Sequence, residues 1–162
     1  EFNRFINDLN GYTVDDFLIE LDTFYKIEKK GLELYKPTQK HQFSMYLDGD
    51  FYALSLRKSA YDYTNELSHL DSEILYQTVL KPILGIEDVR NASKIVYSQD
   101  KSGGLELKTK VDSGNFKVSF GMLPVTMDDI KSVVNADLLM PPKTTYIEPK
   151  LRSAITIYEF LV

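Results

Sequence analysis

The chain has 162 residues, 43% hydrophobic and 12% aromatic, which suits one globular domain with a sizeable buried core. Its net charge of −5, from 24 acidic against 19 basic residues, argues against broad nucleic-acid binding, which needs a cationic footprint. The absence of cysteine excludes disulfides and thiolate chemistry, and the two histidines, His41 and His69, lie at no metal-ligand spacing, so no metal is expected.

The opening residues, Glu1-Phe2-Asn3-Arg4, carry neither an initiator methionine nor a basic-then-apolar signal, and residues 1–162 read as a single domain from the C-terminal portion of a longer protein. No apolar run approaches the ~20 residues of a membrane span, so the expectation is a soluble cytoplasmic protein with no membrane partner. The first predicted element is a helix. Thr13 is its N-cap, Asp15 and Asp16 favour its first turn, and Val14, Phe17, Leu18 and Leu21 fall on one face. Phe24 to Glu28 alternates like a strand, and Lys29 to Thr38, with Gly31 and Pro37, is a polar connection with room for a short helix.

Phe43 to Leu47 and Phe51 to Leu56 flank Asp48-Gly49, whose positive-φ chemistry predicts a β-hairpin with aromatic cross-strand packing. A helix is predicted through Leu67, Leu70, Ile74, Leu75 and Val79, disturbed at Lys81-Pro82 and capped by Gly85. Lys94 to Tyr97 reads as a short strand, while Leu105 to Val111 fits neither period well. Asp112 to Asn115 is a turn, Phe116 to Met122 an alternating strand, and Thr126 with Asp129 forms a capping box for a helix with Ile130, Val133, Val134 and Leu138 on one face. Ala154 to Leu161 is read as a terminal strand. Strands and helices mix without a βαβ rhythm, so the predicted class is α+β, a mostly antiparallel sheet with helices packed on one face.

Residues 140–153 carry the clearest chemistry. Three cations (Lys143, Lys150, Arg152), three hydroxyls (Thr144, Thr145, Ser153) and three prolines (Pro141, Pro142, Pro149) gather there in an acidic chain. Prolines hold the backbone at low entropic cost, and ammonium, guanidinium and hydroxyl groups are the donors that a phosphate or carboxylate needs. Lys143, Thr144, Thr145, Lys150 and Arg152 are therefore candidate anion-binding residues, with Glu148 orienting a lysine. The same residues also read as a stiff, solvated loop entering an edge strand, with Glu148 paired to Arg152. No glycine-rich phosphate loop or nucleophile elbow is present. Elsewhere, Asp48 and Asp50 suit the hairpin turn. His69, Asp71, Glu66 and Glu73 form a titratable cluster open to acid–base work or to helix capping, and Tyr61, Asp62, Tyr63 and His41 have no assignable partner.

Met140 to Ser153, followed by Ile157-Tyr158-Glu159-Phe160, resembles the closing signature of the uncharacterised prokaryotic domain-of-unknown-function ten-fifteen family. Asn3-Arg4, Asp8-Leu9-Asn10-Gly11, Met45 to Gly49, Leu70-Asp71 with Ile74-Leu75, and Pro82 to Ile86 resemble it in the same order. Family members usually carry serine at Thr144, tryptophan or phenylalanine at Tyr146 and glycine at Ala154. Thr144 keeps the hydroxyl, whereas Ala154 puts in doubt any role that needs a positive φ. The resemblance implies an upstream Asp-Gly-His-His-Arg motif, similar to those of ParB-like and sulfiredoxin-like domains, that this chain does not contain. Some ParB-like relatives are nucleotide-dependent kinases of small metabolites. Two expectations follow. One is the accessory half of an enzyme that binds a small phosphorylated or carboxylated metabolite or nucleotide. The other is a structural or interaction module that docks on the upstream domain or a second subunit.

Overall fold

The structure, a computed structural model, describes residues 2–90, 93–99 and 102–145. Among these, six strands form one antiparallel sheet and four helices pack around it: β1 (Phe2–Ile6), α1 (Val14–Asp22), β2 (Tyr25–Gly31), β3 (Gln42–Leu47), β4 (Asp50–Leu56), α2 (Asp71–Leu75), β5 (Ile95–Gln99), α3 (Leu105–Asp112), β6 (Val118–Gly121) and α4 (Met127–Asn135). The fold class is therefore α+β. The strand order is β2-β4-β3-β6-β1-β5, so the first strand lies between two that come late in the chain. The terminal strand expected over 154–161 lies outside the described residues.

Alternation along the strands sorts side chains onto two faces. Ile6, Phe43, Met45, Leu47, Leu54, Val118 and Phe120 join the main core, which α1 closes with Phe17 and Leu21 and the 70–86 segment closes with Ile74, Leu75, Val79 and Leu84. Full burial of each Phe or Leu contributes roughly 1.5–3 kcal/mol. The opposite face holds a smaller cluster of Phe5, Tyr46 and Phe51 under Leu107 and Val111 of α3. The helices that build the main core thus share one face, and α3 adds a layer to the other. This double cover explains why β6 is buried at every position instead of on alternate residues.

Local chemistry accounts for the boundaries. The Thr13 side chain accepts from the Asp16 N–H at the start of α1, and both halves of the Thr126–Asp129 capping box are formed at α4. Asp48 and Gly49 take positive φ in the β3–β4 turn. The polar connection is shorter than the sequence suggested, because β2 runs on to Gly31 through a bulge at Lys29/Gly31 and no helix forms there. The single helix expected around Leu67–Val79 is three pieces: a 3₁₀ turn at Glu66–His69, α2, and a π-helical turn at Tyr76–Leu80. Leu70 breaks the run with extended dihedrals. Within the π turn the Thr78 hydroxyl donates to the Ile74 carbonyl and lies 2.6 Å from the buried Tyr25 hydroxyl, a side-chain bond to the preceding turn of the kind that bends helices.

Candidate functional site

The Met140-Pro141-Pro142 run closes one side of a cleft of about 230 Å³. β1 supplies Arg4 and β5 supplies Tyr97, which face each other across the β1–β5 register. That register sets the Arg4 guanidinium over the Tyr97 ring, 5.7 Å from its centroid. Arg4 is only 2% exposed; its Nη1 donates to the Phe2 carbonyl and approaches the Met122 sulfur at 3.2 Å. Ser72, Glu73, Tyr76 and Leu80 make a second side, and Glu87, Asp88, Val89 and Arg90 a third.

Two phenols pin that third side. Tyr76 donates to the Glu87 carbonyl at 2.6 Å and Tyr97 to the Val89 carbonyl at 3.3 Å, while the Arg90 N–H donates to the Asp88 carboxylate at 2.8 Å and tightens the turn. Burial pushes the Tyr97 phenol above its ordinary range, with the Arg4 charge pulling the other way. Tyr97 is thus a neutral donor at physiological pH. Two guanidinium groups and three carboxylates (Glu73, Glu87, Asp88) surround an apolar wall of Leu139, Met140 and the prolines.

Of the residues singled out in the 140–153 stretch, Thr144 is buried, and its hydroxyl lies 3.4 Å from Ser72 Oγ and from the Pro142 carbonyl. It joins the tail to a side chain that lines the cleft. Lys143 and Thr145 are exposed, and Lys143 turns the chain with φ of 55°, a conformation lysine rarely adopts. Glu148, Lys150 and Arg152 lie outside the described residues. Sequence reasoning missed Arg4, Tyr97 and Arg90, which approach the tail only through the fold.

The aromatic and titratable residues left without partners do meet. Tyr63 stacks between His69, at 4.7 Å between ring centroids, and His41, at 5.4 Å, and its hydroxyl lies 3.1 Å from His41 Nδ1. Asp71 accepts the His41 backbone N–H at 2.8 Å, so this carboxylate holds the loop before β3. Burial lowers the His41 pKa below its ordinary value, and the neighbouring Lys40 charge adds to the effect. Among the described residues no three His, Asp or Glu side chains are grouped to hold a metal ion, and no helix is long and apolar enough to cross a membrane.

No curated protein and no solved structure matches the chain. The family resemblance read from the sequence is found over the first part, including Asn3-Arg4, Asp8 to Gly11, Met45 to Gly49 and Leu70-Asp71, whereas Met140 to Ser153 lies beyond the matched stretch. Residues 1–73 match the model of a family described as Protein of unknown function (DUF1015).

Proposed function

We propose that this domain is the accessory, ligand-holding half of a cytoplasmic enzyme that acts on a small phosphorylated or carboxylated metabolite or nucleotide, with catalytic groups supplied by an upstream domain. The anionic end of the ligand enters the cleft beside the tail and meets Arg4 and Arg90. Lys143, Thr144, Thr145, Lys150 and Arg152 extend that donor set, and Glu148 orients a lysine. The observation that carries this reading is Arg4, a guanidinium almost wholly removed from solvent yet lining an open cleft. Its planar fork matches carboxylate and phosphate oxygens. The left-handed backbone at Lys143 supports it too, because strained dihedrals cluster where a ligand is held.

The test is a thermal-shift screen of the full-length protein against nucleotides and small phosphorylated and carboxylated metabolites. A ligand at 100 times its dissociation constant adds about 2.7 kcal/mol of stability. Arg90→Ala and Lys143→Ala replace exposed residues, so both variants should keep the ligand-free melting temperature and lose the ligand's shift. A full shift retained in both variants would sink the reading.

One observation favours the second reading, a module that docks on the upstream domain or a second subunit. Leu139 stands 85% exposed at the rim of the same cleft. Under that reading Leu139→Asp weakens association measured by sedimentation, while no small molecule shifts the melting temperature.

A further inference from the structure

On the α3 face of the sheet, away from the cleft, two buried polar groups have no hydrogen-bond partner among the described residues: Asn3 Nδ2 and Ser44 Oγ. The residues are 3% and 2% exposed. An orphaned donor in such a place is destabilising, and native proteins tolerate few of them. Both side chains line a pocket of about 170 Å³. One water needs only about 10–15 Å³, so the space exceeds what a single bridging water fills.

Gly121 makes this hollow. It pairs with Ser44 across β3–β6, and a Cβ there would stand 3.2 Å from Leu107 Cδ1 and 3.3 Å from Asn3 Oδ1. Any side chain at this position would intrude between the two orphaned groups. At the mouth, Gly103 and Gly104 enter α3 with φ of 64° and 95°, and Gly104 caps the helix without a side chain. The Lys36 ammonium lies over Gly103, 2.6 Å from where a Cβ would be. The pocket therefore offers an amide donor and a hydroxyl in its depth, one ammonium and the positive end of a helix at its mouth, and no carboxylate among the described residues that line it. The rest of the lining is largely apolar, with Leu107, Met122 and Leu123 prominent.

We propose that this pocket binds a small organic carboxylate, whose oxygens meet Asn3 Nδ2, Ser44 Oγ and the Lys36 ammonium while its short apolar body rests on Leu107, Met122 and Leu123. A single cation with two neutral side chains balances a monoanion. A phosphate dianion would want a second cation, and the described lining residues supply none.

Isothermal titration of the full chain with acetate, butyrate and inorganic phosphate tests this. Butyrate should bind saturably and more tightly than acetate, and phosphate should not displace it. Lys36→Ala, a change at an exposed residue, should weaken butyrate about tenfold or more. Ser44→Ala should raise the ligand-free melting temperature, because it deletes an unpaired buried hydroxyl, and should abolish the butyrate response. Absence of saturable butyrate binding, displacement by equimolar phosphate, or full affinity in Lys36→Ala would each overturn the proposal. A rise in melting temperature for Ser44→Ala with no carboxylate response in the wild type would assign the orphaned groups to solvent and overturn it as well.

Discussion

At the scale of single residues, burial decides what each polar group does. Asp129 shows the balance: burial works against its charge, but hydrogen bonds from Lys40 and from the Thr126 backbone and hydroxyl outweigh it and hold the carboxyl below its ordinary range. At His41 the balance falls the other way, and the backbone hydrogen bond with His69 does not offset burial. Its folded pKa is depressed from 6.5 by burial and by Lys40, so near that pH the unfolded chain binds more protons than the folded one. Stability therefore rises with pH in that window. The contribution is complete above pH 6.5 and is lost as the pH falls from there through the folded value. Urea midpoints followed from about pH 8 to about pH 5.5 should fall over this range. His41→Asn should flatten that part of the profile, since Asn tolerates the left-handed backbone at this position (φ 67°) but cannot titrate. An unchanged slope in the variant would remove His41 as the cause.

At the scale of elements, the sequence is most legible where one local signal suffices. Asp48-Gly49 fixes the hairpin, Thr13 and Thr126 mark two helix starts, and alternation from Phe116 marks β6. Signals shared between distant segments are hidden. Leu105–Val111 looks ambiguous because α3 buries only Leu107 and Val111 while Leu105 stays 53% exposed, a stripe too narrow to show a period. β1 goes unread because Asn3 and Arg4, polar residues at buried positions, break its pattern. The cleft is unreadable for the same reason: only its Met140–Pro142 side lies in the candidate stretch, and Arg4, Tyr97 and Arg90 reach it through strand pairing and a pinned loop. Gly85 shows how such elements interlock. It has φ of 65°, and a Cβ there would meet the Asn10 amide at 3.2–3.3 Å, where Asn10 Nδ2 donates to the Ile83 carbonyl. Gly85→Ala combines a left-handed penalty of about 1–2 kcal/mol with displacement of that amide. The urea midpoint should drop by a corresponding amount at unchanged m-value, and a neutral outcome would show that the Asn10 loop yields freely.

At the scale of the whole molecule, the sheet order separates family boundary from folding unit. Residues 1–73 contain β1, β2, β3 and β4 but neither neighbour of β1, since β5 and β6 lie at 95–99 and 118–121. β3 also loses β6, and the main core loses Val79, Leu84 and Phe120. A fragment ending at residue 73 should show no cooperative urea transition by circular dichroism, in contrast to the full chain. A sigmoidal transition in the fragment would mean that the hairpin and α1 suffice for an independent core.

The place of β1 between β6 and β5 bears on how the sheet is made. Along this chain β1 is synthesised well before both of its partners, so the β3–β4 ribbon can zip while Phe2–Ile6 still lacks β5 and β6. An uncovered Phe-x-x-Phe-Ile stretch invites pairing with the same stretch on neighbouring nascent chains. Arg4 interrupts it with a cation, a residue type that discourages such encounters. The arginine that ends beneath the cleft thus also places a charge in the stretch most open to such mispairing.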